Sequence, residues 1–239
     1  GETMINIVTS TATSNDDTDK ITKGDLTDIS TTLIWSVNNT ITDVSFGDNI
    51  TIVHGPGYIE ENINGIKYRI SPNAFFQTNS NTSTELQKKV LEYCGNTSDK
   101  TLLDLYCGTG FFAISASAKT KKVVGVEMVE DAINDARINA EINNLNIDFV
   151  HAKTENFDWG QYNADIVILD PPRSGMHDSA LNDVIKIQPD TIIYVSCNPK
   201  NFAREMVQLQ NFYKIEKMCA IDMFPHTPHV ELVSKLTKK

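Results

Sequence analysis

The chain has 239 residues, 40% of them apolar and 22% charged, with a formal net charge of −10. That length buries a sizeable core and is long for one compact domain, so one full domain with a smaller appended region is expected. No apolar run approaches the ~18–20 residues of a membrane span and no charged-then-apolar leader opens the chain, so a soluble, cytoplasmic protein is expected. A chain that opens on Gly1 and runs into strand-like residues from Glu2 to Ser10 is expected to be processed or a piece of a longer protein. Cys94, Cys107, Cys197 and Cys219 show no C-x-x-C spacing and are too sparse for a disulfide framework. His226 and His229 read as part of a loop turn, and no metal cofactor is expected. The acidic balance speaks against a broad electrostatic footprint for nucleic acid. Such a partner would need a local basic patch or a basic domain elsewhere.

In chain order, Ser10–Asp25 is rich in Thr and Asp and reads as a loop. Thr31 to Ile70 holds short β-like runs (TTLIWSV, ITIVHG, IKYRI) separated by Asn, Gly and Pro, a small β-rich region with hairpin character. Ser71-Pro72-Asn73 breaks it, and Thr82–Cys94 reads as a helix with polar capping residues before it. From Lys100 strands alternate with helices. The strand candidates are 101–106, 122–127, 147–152, 165–170 and 191–196, and the clearest helices are Val129–Asn144 and Lys200–Gln210. Near-continuous apolar strands with crossover helices indicate a parallel sheet covered on both faces. Two more strands, YKIEKMCAID and VELVSKL, close the chain around the loop MFPHTPH. The division expected is a small α+β region over 1–80 and a catalytic domain over 81–239.

The first apolar strand runs into Asp104-Leu-Tyr-Cys-Gly-Thr-Gly110 and then a helical segment. Gly108 and Gly110 let the backbone turn tightly and approach a ligand with no Cβ in the way. Glu127 ends the next strand, 17 residues beyond Gly110, a placement suited to ribose hydroxyls. NAD competes for such a site. The Asp-x-x-x-Gly-x-Gly form, however, resembles motif I of class I methyltransferases, and the sheet closes with a hairpin-like strand pair as theirs does. S-adenosylmethionine is therefore the expected cofactor.

Asp170-Pro-Pro-Arg173 and Ser196-Cys-Asn-Pro199 also lie at carboxyl ends of strands. Open parallel sheets bind ligands along that edge, so Tyr106, Glu127, Asp170 and Cys197 should face one crevice. Asn198-Pro199 begins a helix, whose N-terminal field is expected to lower the Cys197 thiol and favour thiolate, a candidate nucleophile. C5 of uracil is too weak a nucleophile to attack a methyl sulfonium directly. Thiolate addition at C6 makes C5 nucleophilic, and a base must afterwards remove the C5 proton. Glu231 opens the final strand after a Pro-rich turn. On the residues alone it reads equally as that base or as a solvated edge charge.

The combination of Ile70-Ser-Pro-Asn-Ala-Phe-Phe-Gln77, Leu103–Gly110, Asp170-Pro-Pro-Arg-Ser-Gly175, Ser196–Pro199 and Asp222–Glu231 resembles the RNA uracil-C5 methyltransferases. These act on the T-loop uridine of transfer RNA or on uridines of large-subunit ribosomal RNA. The resemblance runs from about Leu33 to the C-terminus. It implies a class I, Rossmann-like, mostly parallel seven-stranded sheet, with Cys197 as nucleophile and Glu231 as proton acceptor. It also implies that Gln77, Tyr106, Glu127 and Asp170 line the cofactor and target pocket. The family's N-terminal RNA-binding barrel and much of its central domain have no counterpart in this chain, and where some relatives carry a polar residue this chain has Phe111.

Phe76, Arg173 and Asn198 are candidate substrate contacts. A flipped base would stack on Phe75 or Phe76, one of which is expected in the core, and Lys200 and Arg204 are further candidates for phosphate. The expected partner is transfer RNA, with ribosomal RNA next and no membrane. A monomer is favoured. The alternatives are a non-catalytic RNA-binding or folding module that keeps the fold, and an amine or protein methyltransferase, which would not need Cys197. Arg173, standing where amine methyltransferases normally carry an aromatic, speaks against the last.

Overall fold

The computed structural model describes residues 1–10, 26–39, 47 and 49–239. Beyond Ser10, the expected loop over Ser10–Asp25 lies outside the described residues. β1 (Met4–Thr9) pairs in parallel with β2 (Thr32–Val37), which pairs antiparallel with β3 (Asn49–His54), and α1 is the short Leu26–Ile29. β4 (Ile59–Ile63) and β5 (Ile66–Ile70) form a separate hairpin. Asn64 and Gly65 turn it at φ 55° and 82°, the left-handed pair that matches strand twist in a two-residue turn.

The main sheet has seven strands in the order β11-β12-β10-β9-β6-β7-β8. These are β6 (Thr101–Leu105), β7 (Lys122–Glu127), β8 (Asp148–His151), β9 (Ile166–Leu169), β10 (Thr191–Ser196), β11 (Tyr213–Ile221) and β12 (Glu231–Lys238). β6 to β10 are mutually parallel, and β12 inserts antiparallel between β10 and β11. The helices are α2 (Ser80–Cys94), α3 (Phe111–Ser117), α4 (Glu130–Ile142), α5 (Asp178–Ile187) and α6 (Pro199–Leu209). The chain leaves β6 toward β7 and β8, then returns to build β9 and β10 on the other side. The carboxyl ends of β6 and β9 therefore flank a topological switch point, where open sheets hold their ligands.

Each face of the sheet carries its own core, because strands such as Ile166–Leu169 are buried on both sides. One core gathers Leu86, Val90, Phe112 and Ile114 with Ile63 and Tyr68 of the hairpin. The other gathers Trp159, Leu181, Val184, Phe202 and Leu209. The division expected at residues 80 and 81 runs through the first core: Tyr68 Oη donates to Phe111 O at 3.0 Å and accepts from Gln87 Nε2 at 2.9 Å.

A polar ladder fixes the hairpin's outer edge. Asp131, Asp135, Asn139 and Asn143, four residues apart along one face of α4 and its cap, meet Asn73, Ser71, Arg69 and Lys67, two residues apart in and after β5. A helix rises ~6.0 Å over four residues and a strand ~6.6 Å over two, so the rows stay in step. The Asn139 amide accepts from Arg69 N at 2.6 Å and donates to Arg69 O at 3.1 Å, and Asn143 does the same at Lys67 at 3.1 and 2.7 Å. Asp135 accepts from Ser71 N and Oγ at 2.6 and 2.8 Å. Side-chain amides thus stand where a neighbouring strand's peptides would, and the edge's backbone groups are satisfied. Among the described residues no helix is long and apolar enough to cross a membrane.

Candidate active site

Three stretches of chain, around residues 75–77, 106–112 and 170, line a cleft at the carboxyl edge of the sheet. Its walls include Phe75, Phe76, Gln77, Tyr106, Gly108 and Asp170. Tyr106 follows β6 at φ 65°, a left-handed conformation that costs a non-glycine residue ~1–3 kcal/mol and is found where a surrounding site enforces it. Gly108 (φ 53°) and Gly110 (φ 84°) continue the turn, and their roles differ. A Cβ on Gly108 would meet nothing nearer than 3.9 Å, so that glycine faces open space. A Cβ on Gly110 would lie 2.9 Å from Ile114 Cδ1, so that one is packed.

Glu127 clamps the turn. Its Oε2 accepts from Gly108 N at 3.0 Å, while Oε1 accepts from Met128 N at 2.8 Å and Val129 N at 2.7 Å. Oε2 keeps a second acceptor site for a ligand hydroxyl. Gln77 is buried and lines the cleft. Phe76 packs in an aromatic cluster, with ring centroids 5.3 Å from Tyr68 and 5.6 Å from Phe111. It is a fixed wall, and its neighbour Phe75, 66% exposed, is the ring with a free face.

The ladder of β10 and β12 pairs Ser196 with Leu232. The register ends there, Cys197 and Glu231 each lie one residue beyond it, and Glu231 acts on the Cys197 thiol through its charge. β12 is an interior strand, so Glu231 is only 4% exposed, and the reading of it as a solvated edge charge fails. Asp170 follows β9, where Leu169 pairs with both Leu105 and Tyr194, and so stands beside the same pair.

Burial and mutual charge set the ionisation here. Burial, then Asp170, pushes the Glu231 carboxyl up to about 8. Burial, then Glu127, pushes Asp170 up to about 7. Asp104, fully buried beneath the turn with Oδ2 accepting from Ala113 N at 2.8 Å, is raised well above the usual carboxylate range, chiefly by burial. The Cys197 thiol is raised as well, by burial first and then by Glu231 and Asp170, with Arg173 acting the other way. This corrects the expectation of a thiol lowered by the helix. The first amides of α6 are already engaged, Lys200 N by Asn198 Oδ1 at 3.2 Å and Asn201 N by Asn198 O at 3.0 Å. Burial, followed by the charges of Glu231 and Asp170, outweighs Arg173 at the sulfur.

Both ends of the Asn198 side chain are structural, Oδ1 capping α6 and Nδ2 donating to Arg173 O at 3.2 Å, which leaves it little capacity for substrate. Arg173 is exposed, with Nη2 at 3.4 Å from Nδ1 of His229. Lys200 is also exposed, whereas Arg204 reaches Ser174 O and Glu205. Sequence reasoning missed Thr109, Phe111 and Phe112 as cleft walls. Their place just after the glycine turn was the available signal. Among the described residues no group of three His, Cys, Asp or Glu could hold a metal ion.

A model of the tRNA (uracil-5-)-methyltransferase family matches residues 36–239. The chain belongs to this family. Its relatives include the tRNA (uracil(54)-C(5))-methyltransferase of Pyrococcus horikoshii, 42% identical over 236 residues, a match covering 99% of this chain and 54% of that protein. An uncharacterized RNA methyltransferase of Clostridium tetani is 40% identical over 250 residues, covering 100% of this chain and 54% of that one. Among solved structures, the Pyrococcus abyssi tRNA (uracil-54, C5)-methyltransferase in complex with S-adenosyl-L-homocysteine aligns at TM-score 0.79 and 39% identity, over 99% of this chain and 56% of that chain. The expected methyltransferase sheet is thereby borne out, as is the family resemblance. The chain spans about half the length of the curated relatives it matches.

Proposed function

We propose that this chain is the catalytic part of a S-adenosylmethionine-dependent enzyme that methylates C5 of a uridine in RNA, with the transfer-RNA uridine named for its Pyrococcus relatives as the substrate. The observation that supports the reading is that Cys197 and Glu231 each stand one residue beyond the last β10–β12 pair, with Glu231 and Asp170 both acting on the Cys197 thiol. An amine methyltransferase has no use for that pair.

The residues present fit the cofactor. The turn at Gly108 leaves open space, Glu127 Oε2 offers a spare acceptor for a ribose hydroxyl, and the half-buried Asp170 suits a ligand carrying positive charge. When bound, S-adenosylmethionine supplies an electrophilic methyl group. Cys197, as thiolate, adds to C6 of the uracil, and the electron pair of the C5–C6 double bond moves into a C4–C5 enolate, making C5 the nucleophile. After C5 gains the methyl group, Glu231 takes the C5 proton, the C5–C6 double bond re-forms, and the Cys197–C6 bond breaks to release the thiolate. The buried Glu231, with its raised affinity for a proton, suits the acceptor's task. The net charge of −10 places the burden of RNA affinity on local cations such as Arg173, or on regions outside this chain.

Incubation with S-adenosylmethionine and transfer RNA carrying 5-fluorouridine tests the mechanism on a denaturing gel. Fluorine at C5 cannot leave as a proton, so a covalent protein–RNA band is expected, and it is expected to vanish in Cys197→Ala. Methylated C5 product from Cys197→Ala would overturn the reading.

A further inference from the structure

The loop that carries Asp170 and Arg173 is gripped by one face of α6, the helix that begins just after Cys197. Asn198, Asn201, Arg204 and Glu205, spaced three and four apart over two turns, all reach the backbone of residues 173–176. Asn201 Nδ2 donates to Arg173 O at 2.7 Å, Asn198 Nδ2 donates to the same oxygen at 3.2 Å, and Arg204 Nη2 donates to Ser174 O at 3.3 Å.

The innermost member is Glu205, only 2% exposed. Its Oε1 accepts from Met176 N at 3.0 Å and from Arg204 Nη2 at 3.3 Å. Its Oε2 accepts from the Tyr194 hydroxyl at 2.5 Å. Tyr194 is itself fully buried in β10, three residues before Cys197. Gly175 fits the arrangement closely. It sits at φ 88°, and a Cβ there would lie 2.2 Å from Glu205 Oε1 and 2.9 Å from Arg204 Nη2.

A buried carboxylate is costly unless its acceptor sites are filled, and an aliphatic side chain would occupy the same space without that cost. What the carboxylate adds is two oxygens joining three elements: the strand before Cys197, the helix after it, and the end of the Asp170 loop.

We propose that Glu205 is a positioning residue that locks the Asp170–Met176 loop to β10 and α6, and so fixes Asp170 and Arg173 relative to Cys197. Glu205 touches neither cleft nor reacting atoms and acts through the loop alone. The role in catalysis rests on the function proposed above, whereas the locking of the loop does not. A displacement of about 1 Å at a reacting centre can cost ~100-fold in rate, and loss of supporting contacts around a site typically costs ~10–100-fold.

The test compares wild type, Glu205→Gln, Glu205→Ala and Gly175→Ala by steady-state kinetics per folded molecule and by hydrogen exchange at residues 173–176. Glu205→Ala and Gly175→Ala are expected to lower kcat by roughly 10–100-fold with KM little changed. In both, the Met176 amide should exchange at least tenfold faster, while the amides of β10 keep their protection. Glu205→Gln, which keeps an acceptor and a polar partner for Tyr194, should stay within a few-fold of wild type. A purely structural role would lower stability yet leave kcat per folded molecule and the Met176 amide unchanged, and that result would overturn the proposal. Should Glu205→Ala fail to fold, Gly175→Ala decides alone, since it displaces the loop with Glu205 in place. Should wild type methylate no RNA, the function proposed above fails, and the exchange measurement still decides whether Glu205 holds the loop.

Discussion

Two loops reach the rim of the cleft, and two helices hold them in contrasting ways. Residues 71–77, which bring Phe75, Phe76 and Gln77 to the cleft, follow a strand laced to α4 by a row of paired hydrogen bonds. Residues 170–176, which bring Asp170, are held to α6 by Asn198, Asn201 and Arg204 at Arg173 O and Ser174 O, and innermost by the buried Glu205 at Met176 N. The ladder is distributed and in register, with a rung at every second residue from Lys67 to Asn73. The clamp is concentrated on one helix, and its innermost bonds, from Met176 N and the Tyr194 hydroxyl, share a single buried carboxylate. Distributed contacts should fail by degrees and concentrated ones all at once.

Chemical denaturation can sharpen that contrast. Glu205→Ala is expected to have the largest effect, about 3–5 kcal/mol, because it strands two buried donors, Met176 N and the Tyr194 hydroxyl. Asn139→Ala should cost less, roughly 2–3 kcal/mol, although Asn139 is fully buried and its Nδ2 also donates to Thr109 O at 3.1 Å. Asn143→Ala, at the open end of the ladder, should cost about 1 kcal/mol or less, since water can replace its bonds. If Asn143→Ala proved as damaging as Glu205→Ala, the ladder would be a single cooperative unit and the contrast would break.

Much of the main sheet was legible because its strands are short apolar runs between turn residues. β7 and β10 fall on Lys122–Glu127 and Thr191–Ser196 as expected, and the other bounds of the main sheet shift by a residue or two at most. β4 escaped notice because Glu60, Glu61 and Asn62 interrupt any alternation, and only its pairing with β5 makes it a strand. α5 was not singled out either, being short and capped at its start by His177, an unusual capping residue.

The site was legible residue by residue rather than as an arrangement. Asp170 and Cys197 could be read from strand ends, but the nearness of Glu231 to Cys197 depends on an antiparallel strand far along the chain. The resemblance alone joined them. Glu205, Asp135 and Asn139 were invisible for the opposite reason. Polar residues in a helix read as its solvated face, and only the tertiary packing turns that face onto backbone that lacks partners. The thiol was misjudged on the same ground, since a helix N-terminus is visible in sequence, whereas the burial of the sulfur and the nearby charges of Glu231 and Asp170 are not.

The central claim is that Cys197 and Glu231 divide the reaction between them, one forming the bond to uracil and the other permitting its release. The most direct measurement is intact-mass analysis of Glu231→Gln incubated with S-adenosylmethionine and unmodified transfer RNA. The expected result is a covalent protein–RNA complex that already carries the added methyl group and resolves slowly. In wild type, where burial and Asp170 push Glu231 up to about 8, the acceptor form grows with pH, so release should quicken as pH rises toward 8 and level off above it. Free methylated RNA produced by Glu231→Gln at the wild-type rate, with no complex, would contradict the account.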